Sequence, residues 1–422
     1  MTEFTHPLTG DVIYRHFHPS GLEILVWPRP RASSAYAVFA ARYGSVYNTL
    51  SAPEGVETVP EGIAHFLEHK LFESEDGDAF ARFAATGASA NAYTSFDRTC
   101  YLFQATENIL PSLEILLDFV QHPYFTDATV EKEQGIIGQE IKMCEDNPGR
   151  MVLFNLLDGM YHRHPVRIDI AGTTDSIAQI TPDLLYRSYG QYYNLHNMVL
   201  SVAGRITPEE VMDAADRLLK PAPVIEMPPF AFDEPDSIRQ AYIETAMPVA
   251  APLFYLGYKE PAAVCRDAAA FAGSRLLLEM IAGSHTDLYN RLMRDGLINE
   301  QFGAEYFNGP GYGVWLFGGE SADPQQVAAA IDGAILRIAR DGVDPTDLET
   351  VRRGIYGRMV AEFDDSATCA ETLLGNRIDG IEPLAELDAV ASLTAEQLTA
   401  QIRERIPVQN RTLSVVNPTE AD

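Results

Sequence analysis

Apolar residues recur along the chain with two periods, one typical of strands and one typical of helices. Segments 21–27 and 35–42 are apolar or alternating, as in buried strands, whereas 63–72 and 109–120 space apolar residues three and four apart, as in amphipathic helices. The same criteria predict further helices at 130–143, 181–192, 208–219, 266–282, 324–341 and 345–363, and further strands at 197–203, 252–258, 303–306 and 313–317. Strands followed by mixed helices and strands favour an α+β fold.

A proline-rich stretch divides the chain near its middle. Residues 220–235 contain five of the 26 prolines, and proline fits neither a helix interior nor a central strand. The chain is 422 residues long, enough for two or three domains. We therefore predict a domain at 1–219, a linker at 220–236 and a second domain at 237–422. The repeated mixture of helices and strands predicts that the two domains are related, although no block of sequence recurs.

The composition is that of a globular protein with a strong acidic excess. Hydrophobic residues make up 46%, while 60 acidic residues against 31 basic ones leave a formal net charge of −29. Such a field repels a phosphate backbone, so nucleic-acid binding is not expected. The excess is explained either by solubility alone or by a groove that attracts a basic partner.

Nothing in the sequence predicts export or membrane insertion. The first residues contain neither a basic segment followed by an apolar one nor a cleavage site, and no run of about 18 apolar residues occurs. The four cysteines, Cys100, Cys144, Cys265 and Cys369, are widely scattered and form no CxxC motif. We expect a cytoplasmic protein without membrane contact, whose cysteines are reduced and mostly fill cores.

The strongest chemical signal is the sequence His65-Phe-Leu-Glu68-His69 in a predicted helix. Residues four apart lie one above the other on a helix, so both imidazoles can ligate one tetrahedral zinc ion. Glu68 lies beside the open position, where a carboxylate can act as general base. Two histidines at this spacing also arise by chance. A zinc site is therefore indicated only if the chain also offers a third ligand.

The helix predicted at 130–143 offers that ligand. Glu133 and Glu140 are seven residues apart and share a helix face, with Ile136, Ile137 and Ile141 expected on the buried side. We predict Glu140 as the third zinc ligand. Glu133 would accept a hydrogen bond from a ligand histidine and fix its tautomer. Glu145 is an alternative ligand at the expected end of the helix.

With these motifs the chain resembles the pitrilysin/insulin-degrading-enzyme family of zinc peptidases. It is most similar to the half-size branch that includes the mitochondrial processing peptidase and bacterial peptidases. The family combines HxxEH with a Glu-x6-Glu some seventy residues later, and here 71 residues separate His69 from Glu140. Further landmarks are the segments 62–72, 87–95 and 172–174 and the run 193–198 before the strand ending at Gly204.

The resemblance implies a fold, a reaction and site residues. It implies two related domains, each a mostly antiparallel sheet with helices on one face. Zinc would be held by His65, His69 and Glu140, with Glu68 as base and Glu133 also in the catalytic group. The strand with Ala90, Asn91, Ala92 and Tyr93 would be an exposed edge that pairs with the substrate backbone. Two chains of this branch close like a clamshell around the peptide.

One family feature is not evident in the sequence. Active members have an Arg and a Tyr seven residues apart in the second domain, which polarise the scissile carbonyl. Seven residues after Arg291 stands Ile298, so Arg291 is predicted without its usual partner. Tyr312 and Tyr306 are candidate substitutes, or ordinary strand and turn residues. We therefore expect a homo- or heterodimer in which a related subunit supplies the Arg/Tyr pair.

These observations favour a zinc metalloendopeptidase acting on short or unfolded peptides, including leader peptides of precursors. If acidic side chains line the chamber, its substrates should be basic peptides. Two alternatives remain: a non-catalytic scaffold subunit of a related assembly, and a zinc-dependent module that binds extended peptides without cleaving them.

Overall fold

The elements predicted from the apolar pattern are present in the computed structural model, which describes residues 1–7, 9–75, 77–230, 232–264 and 266–419. The strands are β1 (Thr2–Thr5), β2 (Val12–Phe17), β3 (Glu23–Pro28), β4 (Ala35–Ala41), β5 (Thr49–Ala52), β6 (Gly55–Thr58), β7 (Glu73–Ser74), β8 (Gly77–Asp78), β9 (Ser89–Thr94), β10 (Thr99–Ala105), β11 (Met198–Gly204), β12 (Tyr242–Met247), β13 (Leu253–Lys259), β14 (Gly303–Gly309), β15 (Tyr312–Glu320) and β16 (Arg411–Pro418).

The α-helices account for most of the remaining regular structure. They are α1 (Ile63–Leu71), α2 (Ala79–Thr86), α3 (Ile109–Phe119), α4 (Asp127–Glu145), α5 (Pro148–Met160), α6 (Thr174–Ile177), α7 (Pro182–Tyr192), α8 (Pro208–Leu218), α9 (Ala268–Ala282), α10 (Asp287–Arg294), α11 (Pro324–Asp341), α12 (Pro345–Glu362), α13 (Ser366–Ile378), α14 (Ala385–Ser392) and α15 (Ala395–Arg405). Every predicted helix and strand has a counterpart whose bounds differ by at most three residues. Several further elements were not predicted from the sequence, among them β1, β10, β12, β16, α2, α5, α13 and α15.

The chain forms two compact units, and each draws on both halves of the sequence. The first comprises Met1–Ile141, Asp169–Phe230 and Val360–Leu384, and the second comprises the rest of the chain. The change of unit after Phe230 falls inside the proline-rich stretch, which contains no helix or strand among its described residues. The two exchanged segments carry α5 and α13, and they were not part of the predicted domain division.

The first unit is built on a seven-stranded sheet of order β1-β2-β3-β11-β4-β10-β9. β11 runs parallel to β3, and the other neighbouring pairs are antiparallel. One face packs on α1, α3 and α8 through an apolar core that includes Phe39, Phe66 and Leu116. α13 covers the other face, where Ser201 Oγ donates to the carbonyl oxygen of Ala370 at 2.8 Å.

The second unit repeats this plan with fewer strands. Its sheet has the order β12-β16-β13-β15-β14, in which β12 and β16 are parallel and the other pairs antiparallel. α9 and α11 pack on this sheet, and α5 lies over β13 and β16. The approach of α5 is so close that a Cβ atom on Gly257 would lie 2.7 Å from Met160 Cε.

The two sheets correspond strand by strand. The run β3-β11-β4-β10-β9 matches β12-β16-β13-β15-β14 in order and in the direction of every pair. The predicted fold class, α+β with two related and mostly antiparallel domains, is therefore confirmed. The helix that covers the second face of each sheet adds to that prediction. Among the described strands, none pairs with the outer edge of the last strand in either order, β9 or β14.

Three smaller predictions can be compared with the structure. Cys100 and Cys369 are buried and Cys144 is half-buried, all as free thiols, while Cys265 lies outside the described residues. In the described part of the chain, no helix is long and apolar enough to span a membrane. The prediction that Ile136 lies on the buried side of its helix is wrong, because its side chain is 47% exposed.

Candidate metal centre

Helix α1 brings the HxxEH residues to the boundary between core and solvent. Ile63, Phe66 and Leu67 are buried in the core of the first unit, and this fixes the rotation of the helix. His65 is also buried, whereas Glu68 and His69 are half-buried. The helix starts after Gly62, whose φ of 87° suits glycine and which packs against the carbonyl of Ala171.

His65, His69 and Glu140 converge on one point. Their ligand atoms lie within 4.8 Å of one another. His65 Nε2 is 3.6 Å from one oxygen of Glu140, and His69 Nε2 is 3.6 Å from the other. Ligands about 2 Å from a tetrahedral zinc ion are roughly 3.3 Å apart. The two imidazoles and the carboxylate therefore fit a zinc ion in both donor type and spacing.

The structure distinguishes between the two glutamates considered as third ligand. Glu140 lies within α4 and faces the histidines, while Glu145 is the last residue of the helix and is exposed. Among the described residues, the only group of acidic, histidine or cysteine side chains suited to a metal is His65, His69 and Glu140. Glu140 is therefore the ligand that the geometry supports.

Glu133 forms a hydrogen bond with His69 on the side of the ring that faces away from the metal site. Its Oε1 is 3.1 Å from His69 Nδ1, which leaves Nε2 of that ring directed at the site of the metal. Glu133 is almost buried, and Lys70, whose side chain is fully buried, lies 4.0 Å from its second oxygen and pairs with Glu73. A carboxylate in this position orients the ligand ring and raises its basicity.

The acidic surroundings change the pKa of His69. Burial alone lowers the pKa of this imidazole, but the hydrogen bond to Glu133 and the charges of Glu68, Glu133 and Glu140 outweigh burial and raise it. A protonated imidazole cannot ligate a metal, so a metal ion at this site competes with protons.

Glu68 lies beside the ligands and close to the edge strand. Its Oε2 accepts a hydrogen bond of 2.6 Å from Thr94 Oγ1. Burial raises the pKa of Glu68 and the nearby Glu140 adds to this effect, whereas the Thr94 hydrogen bond and His69 partly oppose it. In the described part of the chain no lysine or arginine forms an ion pair with Glu68. A carboxylate with a raised pKa and no lysine or arginine partner is suited to accept and release a proton.

The predicted substrate strand is the edge strand β9. It pairs with β10 along one side, with Ala92 opposite Tyr101 and Ala90 opposite Phe103. Ala90 and Ala92 pack towards the core, while Asn91 is exposed and its Oδ1 accepts a hydrogen bond from the Ala92 amide at 2.9 Å. The backbone of this strand thus lies at a sheet edge that leads to Glu68, and apart from the Ala92 amide its outer groups can pair with another strand.

The side chain of Tyr93 points away from the metal ligands. Side chains alternate along a strand, and Thr94 occupies the α1 face. Tyr93 therefore faces α13, where its hydroxyl donates to Glu371 Oε2 at 2.9 Å. The part of Tyr93 that lies on the strand edge is its backbone.

Arg291 and Tyr312 belong to the second unit and have very different surroundings. Arg291 is exposed on α10 and lines a cavity of about 1000 Å³ beside α11. Tyr312 is only 3% exposed and packs edge-on against Tyr161 and His164. This burial argues against direct contact of Tyr312 with a substrate. The alternative, Tyr306, donates its hydroxyl to Glu260 at 2.5 Å.

The sequence did not reveal two contacts of this centre, Thr94 with Glu68 and Lys70 with Glu133. Thr94 could have been singled out, because it has the same strand parity as Ala90 and Ala92 and follows them at the end of the strand. Lys70 is adjacent to His69, but a lysine is almost always exposed, so its burial could not be predicted.

Comparisons with known proteins agree with this geometry. The family model described as Insulinase (Peptidase family M16) matches residues 56–174, and that described as Peptidase M16 inactive domain matches 179–355. The chain is 36% identical, over 97% of both sequences, to a Bacillus subtilis protein named an uncharacterized zinc protease, YmfH. It is 28% identical to a probable mitochondrial-processing peptidase subunit beta of Schizosaccharomyces pombe, over 47% of this chain and 43% of that one.

Solved structures show the same similarity. The crystal structure of an M16-like peptidase from Alicyclobacillus acidocaldarius superposes with a TM-score of 0.92 at 34% identity, covering 99% of this chain and 100% of the other. A protease from Helicobacter pylori has a TM-score of 0.84 at 19% identity, over 96% and 99% of the two chains, and this shows a shared fold.

Proposed function

Because the chain belongs to peptidase family M16, we propose that it is a zinc endopeptidase that hydrolyses short or unfolded peptides. One observation carries the proposal. His65, His69 and Glu140 converge as a zinc-type ligand set, and Glu68 stands beside them at the end of an exposed sheet edge. The arrangement combines a metal site, a base and a surface for an extended peptide.

The side chains of the site divide the work of hydrolysis. Zinc at such a site supplies Lewis acidity and lowers the pKa of a bound water. Glu68 accepts the proton of the attacking water and passes it to the leaving amine, and its raised pKa suits both steps. Glu133 keeps His69 in the tautomer that ligates through Nε2.

The free edge of β9 binds the substrate as an additional strand. Main-chain hydrogen bonds to residues 90–93 hold the peptide whatever its sequence, and they align it with the end of the strand where Thr94 meets Glu68. An extended segment is required, so folded proteins are excluded and leader peptides or degradation fragments are suitable. The acidic excess of the chain favours basic peptides among them.

We further propose that the chain acts as the zinc-bearing subunit of a dimer that encloses the peptide between two chains. Two observations support this. Ile298, where the usual tyrosine would stand, is buried, and so is Tyr312. The chain therefore lacks an evident Arg/Tyr pair, and a related subunit could supply one.

The test compares wild type with Glu68→Gln on an unstructured fluorogenic peptide, with zinc content measured in parallel. Loss of the base should lower kcat by about 10²–10⁴-fold while zinc remains bound. The double variant His65→Ala/His69→Ala should lose both zinc and activity. The preference for basic substrates is tested with a lysine-containing peptide and a second peptide in which glutamates replace the lysines. The first should be cleaved faster.

The alternatives predict other results. A scaffold subunit would show no cleavage in wild type, either alone or with a co-purified related chain. A peptide-binding module would bind the peptide but not cleave it, both alone and with the related chain. Equal cleavage by wild type and Glu68→Gln would show that the base is misassigned.

A further inference from the structure

A hydroxyl group at the end of the edge strand contacts the predicted base directly. Thr94 is the last residue of β9, and its Oγ1 donates to Glu68 Oε2 at 2.6 Å. Hydrogen bonds from a hydroxyl to a charged carboxylate are short and strong, and this one is within that range. Thr94 is therefore the residue through which the edge strand and Glu68 are joined.

The position of the Thr94 hydroxyl is itself well determined. Thr94 pairs with Thr99 of β10, and the two hydroxyl oxygens are 3.4 Å apart. Thr99 donates its own proton to the carbonyl oxygen of Tyr43 at 2.8 Å, so the proton of Thr94 remains available for Glu68. Threonine is branched at Cβ, which restricts the rotation that would break this contact.

The strand is also anchored from its other face. Glu371 of α13 accepts hydrogen bonds from Tyr93 at 2.9 Å and from Tyr36 of β4 at 2.6 Å. Consecutive residues of β9 are thus tied to opposite sides, Tyr93 to α13 and Thr94 to α1. This leaves little freedom for the end of the strand that presents the hydroxyl.

We propose that Thr94 is a positioning residue that holds the Glu68 carboxylate in its working orientation and couples it to the strand that binds the peptide. The inference rests on the proposed function. Glutamate has three rotatable side-chain bonds, and without a hydrogen-bond partner its carboxylate samples several orientations. Small misplacements of a catalytic group cost up to about 100-fold in rate. The Thr94 side chain faces α1, so its loss should not weaken peptide binding.

The experiment compares Thr94→Val, which keeps shape and strand propensity, with Thr94→Ser, which restores the hydroxyl. Thr94→Val should lower kcat by about 10–100-fold with KM unchanged within about twofold. Thr94→Ser should recover kcat to within about threefold of wild type. Zinc content, and the Kd of the metal-free protein for the peptide, should be the same in all variants. Thr58→Val on β6 is the matched control, since its exposed hydroxyl bonds no described residue.

Other outcomes overturn the inference. Unchanged kcat in Thr94→Val would show that the hydroxyl does not position Glu68, and so would a serine variant no better than valine. A fall in zinc content or peptide affinity together with kcat would indicate a structural role. If Thr94→Val does not fold, Thr94→Ala serves in its place. If Glu68→Gln cleaves the peptide as well as wild type, both the proposed function and this inference fail. If Glu68→Gln is inactive but Thr94→Val cleaves as well as wild type, only this inference fails and the proposed function stands.

Discussion

Each unit has a hydroxyl on its edge strand that donates to a glutamate, but the two glutamates have very different surroundings. In the first, Thr94 of the edge strand β9 donates to Glu68. In the second, Tyr306 of the corresponding edge strand β14 donates to Glu260. Glu68 is half-buried, beside two histidines and another carboxylate. Glu260 is completely buried and pairs with Arg405 at 2.6 Å and Arg266 at 3.2 Å.

The difference between these carboxylates is the number of cations around them. Arg405 lies over the rings of Tyr306 and Trp315, at 5.0 Å from each, and fills the space between α9 and the sheet. Arg405 and Arg266 both form ion pairs with Glu260. Among the described residues of the first unit, no lysine or arginine pairs with Glu68, and this agrees with the role of base proposed for it. A glutamate bonded to an edge strand is thus paired with arginines in one unit and lies among metal-type ligands in the other, so the surrounding charges distinguish the two.

Removal of Arg405 should produce the largest effect on stability. Arg405→Met leaves Glu260 buried with only one cation, and breaking a buried pair in this way costs about 3–5 kcal/mol. Chemical denaturation should show this loss, whereas zinc content of the folded protein should not change. Arg403→Met on the same helix is the control, because Arg403 is exposed and should cost less than about 1 kcal/mol. Equal losses in the two variants would contradict the structural role of the buried pair.

Loss of Glu133 should act on the metal and not on the fold. Glu133→Ala removes the acceptor of the His69 hydrogen bond, and the loss of such partners weakens metal affinity by about 10–100-fold. Competition with a chelator measures the effect. Glu131→Ala on the exposed side of α4 should leave zinc affinity unchanged. If both variants bind zinc like wild type, Glu133 has no role in ligand orientation.

Acid should destabilise the second unit, because the folded structure keeps His164 neutral and Glu234 charged. Burial is the main cause that lowers the pKa of His164, to about 4. Burial raises the pKa of Glu234, but Lys259 and three backbone amides outweigh it and lower that pKa to about 2. The stabilisation from His164 is complete above its unfolded pKa of 6.5 and is lost as the pH falls from 6.5 to 4. That from Glu234 is complete above 4.5 and is lost between 4.5 and 2.

The contribution of His164 can be separated by substitution. His164→Phe keeps an aromatic ring beside Tyr161 and Tyr312 but cannot take up a proton. Between pH 7 and pH 5 the Tm of His164→Phe should therefore fall less than the Tm of wild type. Both proteins are measured with zinc bound. Protonation of the metal ligands affects both proteins equally. Parallel pH profiles would exclude His164 as a source of acid sensitivity.

Local periodicity accounts for most of what could be predicted. The elements of both units, the i, i+4 pair His65 and His69, and the shared helix face of Glu133 and Glu140 depend on the geometry of a single helix or strand. Burial was harder to predict. Ile136 was expected in the core and is exposed. This error arises because burial depends on the elements that pack against a residue, and the local sequence does not identify them.

The sequence by itself thus determined many of the helices and strands and the residue types of a zinc site, because each follows from spacing along a few turns; the relation between the two domains came from the family resemblance. The tertiary structure decided which distant groups meet. It placed Glu140 opposite the histidines, Glu133 behind His69, and Thr94 against Glu68. It also exchanged α5 and α13 between the units. Such contacts join residues 26 to more than 200 positions apart, and only the packing of the whole chain brings them within hydrogen-bond distance.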